Sequence, residues 1–385
     1  MFAVLLASYA INAMDRQLFP LIAPDVRREF GFSLARIGLL STVFTLGMAM
    51  AGLPTGYLLA RLSRKAVLQL GIAIFSVGTV LTVASRGFSD MLVYRAATGI
   101  GEAMQLTVLL AVAANYFIHY RAAAVGAVNF SFGIGAIVGP LLGGALLGPD
   151  RNWHVPMLAF GGLGFVAIAV VALTVRRWFS ETQRNANVLT DFTGAPTLFN
   201  RNSVLLTCMS LIAGLVIYGY LGMYPTFLRE VLHYSPTAAG TVMSSNGLGA
   251  LASIAGGWLG DRMSPRILMS GSFICTAGVG YLLFHGPNTF AACAMLSFIW
   301  GLIVSGTIYV NLAGYHVKAV RSSLASRASG VFVTTLYASA AGAGYLMGWI
   351  ATRAGWVLAG EIQFSVLAIV AAGLALALQP DRMSL

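Results

Sequence analysis

Charge is scarce in this 385-residue chain: 9% of residues are Asp, Glu, Lys or Arg, against 58% hydrophobic. A soluble domain carries about 25% charged residues and could not hide this much apolar surface, so lipid is the expected solvent. Cysteine is as sparse. Cys208, Cys275 and Cys293 fall in apolar runs, which suits small hydrophobes better than a disulfide framework or a metal site. No Gly-x-x-x-x-Gly-Lys-Ser/Thr loop is present to cradle a nucleotide, so ATP is not the expected energy source. No loop approaches the size of a soluble domain, which leaves little room for a catalytic or sensory module. His154 and His233 read as solvated and the other histidines lack ligand spacing, so neither a metal nor a cofactor is expected.

What is present is a series of apolar runs, each near the roughly 20 residues that cross about 30 Å of hydrocarbon. They lie near 2–23, 36–61, 66–85, 91–118, 121–148 and 154–175, then near 204–231, 236–261, 266–285, 288–314, 327–352 and 355–378. The first run has no basic segment before it and resumes after Asp15-Arg16, so it reads as a retained span and not a cleaved leader. Between the two sets stands a polar stretch with Arg176, Arg177, Arg184, Arg201, Glu181 and Asp191. The expectation is an all-α integral membrane protein of twelve transmembrane helices. Its two pseudo-symmetric six-helix bundles, 1–175 and 204–385, would be joined by a cytoplasmic linker at 176–203.

The formal net charge of +11 would suggest nucleic acid in a soluble protein, but here topology accounts for it and no nucleic acid is expected. With both termini in the cytoplasm, the inner loops and tail hold Arg61, Arg64, Lys65, Arg121, Arg176, Arg177, Arg184, Arg201, Arg262, Arg266, Lys318, Arg321, Arg327 and Arg382. The outer loops hold Arg27, Arg28, Arg36, Arg86, Arg151, Arg229 and Arg353. That two-to-one bias obeys the positive-inside rule and places the protein in the inner (plasma) membrane.

The chain also repeats itself. The loop after the second run reads GYLLARLSRKAVL from Gly56 and the loop after the eighth reads GWLGDRMSPRILM from Gly257. A glycine permits close helix approach, and an Arg cluster with Asp261 can form a charge bridge that breaks when two bundles rock. Gly56, Arg61, Arg64, Gly257, Asp261, Arg262 and Arg266 are therefore expected to form a cytoplasmic gate. These loops resemble the signature Gly-x-Leu-x-Asp-Arg-x-Gly-Arg-Arg/Lys of the major facilitator superfamily. The second copy fits it better, because the first has Ala60 and Ser63 where the family has aspartate and glycine. Asp15-Arg16 with Arg95 and GIGEA from Gly99 resembles the spinster-like lipid transporters and, less closely, the organic anion to cation symporters. The run Gly135-x-x-x-Gly139-Pro140-x-x-Gly143-Gly144 resembles a motif of proton-driven antiporters, which implies a role against leak. Its residues alone imply helix packing, with small side chains for contact and a proline for a bend.

Ionisable residues at membrane depth cost at least about 2.5 to 3.5 kcal/mol each, so they should face the interior, find partners and mark a pathway. Asp15 and Arg16 lie midway along the first run. Arg95 and Glu102, seven residues apart, share one face of the fourth, so the four are expected to converge. Burial favours a protonated carboxylic acid and a nearby arginine favours its charged form. Glu102 and Asp15 are accordingly the proton-coupling candidates, while Arg16 and Arg95 would pair an anionic substrate; the alternative is a static salt-bridge network. The second half offers Tyr218, Tyr224, Asn246, Tyr309, Asn311 and Tyr337, which could line an apolar cavity and hydrogen-bond a substrate's polar end, or serve as helix glue. Glu361 reads as wet.

Together these readings lead to a proton-coupled secondary transporter of an organic anion or amphipathic, lysolipid-like molecule, acting by alternating access as a monomer in the lipid bilayer. A proton-driven exporter of cationic or hydrophobic drugs is the rival, and a non-transporting membrane sensor comes from another class. An enzyme is not expected, because the charged set lacks a nucleophile and base arranged about one cavity. Uptake and export stay open.

Overall fold

The computed structural model describes residues 1–117, 121–148, 152–181 and 194–383. Arg184 and Asp191 of the linker and Arg151 of an outer loop lie outside the described residues. The helices are α1 (Phe2–Phe30), α2 (Leu34–Thr42), α3 (Phe44–Met50), α4 (Gly52–Leu59), α5 (Arg64–Val83), α6 (Phe88–Tyr116), α7 (Arg121–Leu147), α8 (His154–Thr174) and α9 (Arg177–Ser180). After the linker come α10 (Arg201–Glu230), α11 (Pro236–Ala250), α12 (Ser253–Arg262), α13 (Pro265–His285), α14 (Phe290–Trp300), α15 (Val310–Lys318), α16 (Ala325–Gly360) and α17 (Leu367–Leu376).

Among the described residues, eight helices are long and apolar enough to cross a membrane. The others fall short for local reasons. Asp15 and Arg16 lower the hydropathy of α1, α2 to α4 form one apolar run bent at Val43 and Ala51, and α11 and α12 are one run bent at Leu251 and Ala252. The run 288–314 continues to Lys318 through a π-helical stretch, Gly301–Tyr309. Between the last two runs there is no loop; Gly355, with φ 87°, makes a corner that a side chain would oppose.

The first helix corrects the expected boundary. It runs to Phe30 and not to 23, because Asp25, Arg27 and Arg28 extend it instead of ending it, and Gly31 closes it in a left-handed conformation (φ 66°). Its N-terminus lies by the linker, where Met1 Sδ accepts the Arg176 N–H (3.3 Å), and Asn202 Nδ2 donates to Gln379 O (2.8 Å). Both termini and the linker thus occupy one end of the molecule, and Asp25 and Gly31 stand toward the other.

The helices before and after the linker pack together along α1 with α10, α2 with α16 and α7 with α11. Gly38 of α2 and Gly344 of α16 face each other so closely that a Cβ on either would overlap the other's carbonyl. Beside them Thr42 Oγ1 donates to Ala341 O (2.8 Å). Ser244 of α11 donates to Ile137 O of α7 (2.7 Å).

Candidate functional site

The four ions converge. α1 brings Asp15 and Arg16, α6 brings Arg95 and Glu102, and none is more than 5% exposed. They pair crosswise: Arg16 Nε lies 2.9 Å from Glu102 Oε2 and Arg95 Nη1 lies 3.9 Å from Asp15 Oδ2. Thr79 of α5 holds Asp15, its hydroxyl 2.9 Å from both carboxylate oxygens. The knot is only partly satisfied. The Arg16–Glu102 contact is close but not aligned as a hydrogen bond, and among the described residues none of the three Arg95 nitrogens has a hydrogen-bond partner. Arg95 instead stacks over Phe19 (4.7 Å) and Phe44 (5.6 Å), worth about 2 kcal/mol for a desolvated cation. Buried ions held this loosely are costly unless a partner or a proton completes them.

The knot borders a narrow cavity between the two sets of helices, lined by Arg16, Gln17, Phe44, Phe132 and, from α10, Tyr218 and Leu221. Arg16 reaches it while Glu102 lies behind, fully buried. Tyr218 is joined by Tyr337 and Tyr309: the rings of Tyr218 and Tyr337 are 5.9 Å apart, and the hydroxyls of Tyr309 and Tyr337 are 3.2 Å apart. Those three tyrosines belong with Arg16. The other candidates do not: Tyr224 is sealed in a stack with Tyr220 (5.0 Å) and Phe227 (5.9 Å). Asn311 ties helices together through Gly256 O and Thr307 O (2.9 Å each). Asn246 is buried beside Gly301, its Oδ1 without a partner.

At the linker end the charged residues of the expected gate are engaged within their own sets of helices. Asp261 pairs with Lys318 (2.7 Å), not with Arg262 or Arg266. Arg262 lies over Trp258 (4.4 Å), Arg61 lies over Tyr57 (4.2 Å), and Arg266 Nη2 donates to Leu378 O (2.6 Å). In the copy with Ala60, Glu181 supplies the missing carboxylate and accepts the N–H groups of Arg64 (3.0 Å) and Lys65 (3.2 Å) at the start of α5. The close-approach role assigned to Gly56 and Gly257 is not seen. A Cβ on Gly56 would meet nothing within 4 Å, and one on Gly257 only an ordinary contact; Gly256 and Gly260 are the tightly packed pair.

The α7 run divides its work. Gly135, Gly139 and Gly143 press on Ala10, Met14 and Leu18 of α1, next to Asp15 and Arg16, while Gly144 and the Pro140 carbonyl meet Pro236 and Gly240 of α11. Glu361 is a third exposed and sits 3.3 Å from His285. Among the described residues, no group of three or more His, Cys, Asp or Glu could hold a metal.

Two features escaped sequence reading. One is the polar ladder behind Glu102: Asn12 Nδ2 donates to Gln105 Oε1 (2.9 Å), and Gln105 Nε2 to Ser8 Oγ (3.0 Å). Ser8, Asn12, Asp15 and Arg16 repeat at helical spacing, and that stripe was the available signal. The other is at the far end, where Arg229, counted among the outer-loop arginines at the end of the run 204–231, is a buried helical residue. It grips Asp25 through both carboxylate oxygens (2.5 and 3.0 Å) and donates to Leu21 O (2.8 Å). Nearby Arg27 pairs with Glu230 (2.7 Å). No sequence spacing announces a pair 204 residues apart.

The chain belongs to the Major Facilitator Superfamily, whose family model matches residues 5–345. It is 26% identical over 319 residues to Protein spinster of Drosophila melanogaster, covering 78% of this chain but 52% of that protein, so it spans about half the length of that relative. It is also 26% identical over 313 residues to a Helicobacter acinonychis protein named as a sugar efflux transporter (78% and 75% covered). The fold matches, with a TM-score of 0.79 at 17% identity over 97% of this chain and 95% of that one, a crystal structure of a bacterial homolog of the human lysosomal transporter Spinster.

Proposed function

We propose that this transporter moves an organic anion or an amphipathic, lysolipid-like molecule in exchange or company with protons, by alternating access. The observation that carries the reading is the position of Arg16: it pairs with buried Glu102 and also lines the cavity between the two sets of helices. An arriving anion that engages Arg16 competes with Glu102 for the same guanidinium, so binding and protonation become linked. Tyr218, Tyr309 and Tyr337 offer the substrate an apolar wall with hydroxyls at its edge. A cationic-drug exporter would instead need an acid exposed in the cavity away from arginine. Glu102 stands behind Arg16, which disfavours it.

In this reading the chain has twelve spans in bundles 1–175 and 204–385, works as a monomer, and keeps both termini and the linker in the cytoplasm of the inner membrane. The end closed by the Asp25–Arg229 and Arg27–Glu230 pairs is then the outer one, and the arrangement is inward-facing. The test is proton movement in proteoliposomes challenged with organic anions, lysolipids and cationic drugs, for wild type and Glu102→Gln. Substrate-dependent proton flux that Glu102→Gln abolishes is the expected result. Substrate movement that needs neither Glu102 nor a proton gradient would reduce the knot to packing.

A further inference from the structure

At the closed end, directly above the Asp25–Arg229 pair, a vestibule of about 580 Å³ opens to the surface. Its charged lining is unbalanced: Arg27, Arg28 and Arg229 contribute guanidinium groups and Glu230 is the lining carboxylate. These arginines are held very differently. Arg229 is buried and doubly bonded to Asp25. Arg27 donates from Nε to Phe32 O (3.2 Å) and shares Glu230 at 2.7 Å, with both partners a quarter to a third exposed, so water screens the pair. Arg28 is 60% exposed and approaches Asp25 only at 3.7 Å, beyond hydrogen-bond reach, so its donors face the opening. Pro24, Phe32 and Tyr234 form apolar walls, and His233 is held on the rim at φ 56°. That left-handed conformation closes α10, where the Tyr234 N–H donates to Leu228 O (2.9 Å).

From this geometry we infer that the vestibule is a second, peripheral binding site for an organic anion, gripped by Arg27 and Arg28, whose occupancy displaces Glu230 and undoes one of the two ionic ties between α1 and α10. A carboxylate or phosphate monoester matches the planar fork of a guanidinium with two oxygens and competes for Arg27 with a glutamate that is a quarter exposed. The apolar walls and the volume suit an organic body, not a halide. This deepens the anion reading of the central cavity and rests on it for substrate class, yet it is tested without transport.

The experiment uses the full chain in phosphatidylcholine nanodiscs, with Cys208, Cys275 and Cys293 replaced by alanine and spin labels at Arg86→Cys and Asn288→Cys, one in each set of helices at the closed end. Octanoate is the probe and chloride at equal ionic strength the control. Octanoate should lengthen the interspin distance where chloride does not. Arg28→Gln should raise the octanoate concentration needed at least tenfold without changing the octanoate-free distance, and Arg28→Lys should give an intermediate shift. Arg16→Gln, which disables the central site, should leave the response intact. A repeat with phosphatidylglycerol discs separates sources: lengthening without octanoate would mean that a lipid headgroup supplies the same anionic chemistry. A response equal to that of chloride, indifferent to Arg28→Gln, or lost in Arg16→Gln would overturn the inference, whatever proton-flux assays say of the central site.

Discussion

The helices before the linker and those after it face one cavity with opposite chemistries. The first set presents an ionic knot, Asp15, Arg16, Arg95 and Glu102, in which several nitrogens have no protein partner. The second presents aromatic rings, Tyr218, Tyr309 and Tyr337, packed on one another and on Phe332, with the Tyr309 and Tyr337 hydroxyls 3.2 Å apart. An ionic knot can change state with one proton, because each buried charge depends on its neighbour. A tyrosine wall cannot; it answers to shape and surface. Under the proposed function the ionic side would exchange the proton and meet the anion's charge while the aromatic side would fit its apolar body, and perturbing each side should have different signatures.

The largest break comes from Glu102→Gln, which should bring substrate-dependent proton flux in proteoliposomes to background while the protein still folds, since a neutral amide fits the same space. Arg95→Leu comes next. It leaves Asp15 buried without its cation, and thermal unfolding in nanodiscs should show destabilisation of about 3 to 5 kcal/mol. The double change Asp15→Asn with Arg95→Leu should recover part of that loss, as coupled neighbours do; strictly additive losses would show that the 3.9 Å pair contributes nothing.

On the aromatic side effects should be smaller and should fall on substrate affinity. Tyr337→Phe removes one hydroxyl from a pair 3.2 Å apart. A lost hydrogen bond of about 0.5 to 1.5 kcal/mol predicts a KM roughly 2- to 10-fold higher with proton coupling retained. If coupling fails instead, the division of labour is wrong. The smallest change is expected at Tyr224, whose buried hydroxyl has no partner. Tyr224→Phe should leave transport unchanged and the unfolding temperature equal or slightly higher, because removing an unsatisfied polar atom costs nothing; a marked rise in KM would return Tyr224 to the substrate path.

The membrane class, most of the apolar runs and the convergence of four ions were legible in the sequence, because hydropathy and helical spacing are local properties that lipid enforces strongly. Asp15, Arg16, Arg95 and Glu102 stood out as charges where charge is expensive. Which arginine pairs which acid was not legible, nor was the role of Thr79, since threonine is unremarkable in an apolar helix. The tyrosines were found as a set but not sorted: Tyr218 and Tyr224 sit six residues apart on one helix, so packing of α10 against its neighbours, not spacing, turned one toward the cavity and the other into a stack. Asp25 fell beyond the run 2–23, and Arg229, inside the run 204–231, was counted with the outer-loop charges, because a charge near the end of a span reads as solvated.

By itself, then, the sequence determined that the chain must lie in lipid, roughly where its spans run, and which few charges had to turn inward, because a helix satisfies its own backbone in lipid and a charge left there without a partner is costly. Only the tertiary structure decided how those charges are crossed, that Glu181 replaces the aspartate missing at Ala60, and that Arg229 reaches Asp25 across 204 positions. Such pairings depend on which helix faces which, a choice settled by the packing of small residues such as Gly38 on Gly344, and no local pattern records it.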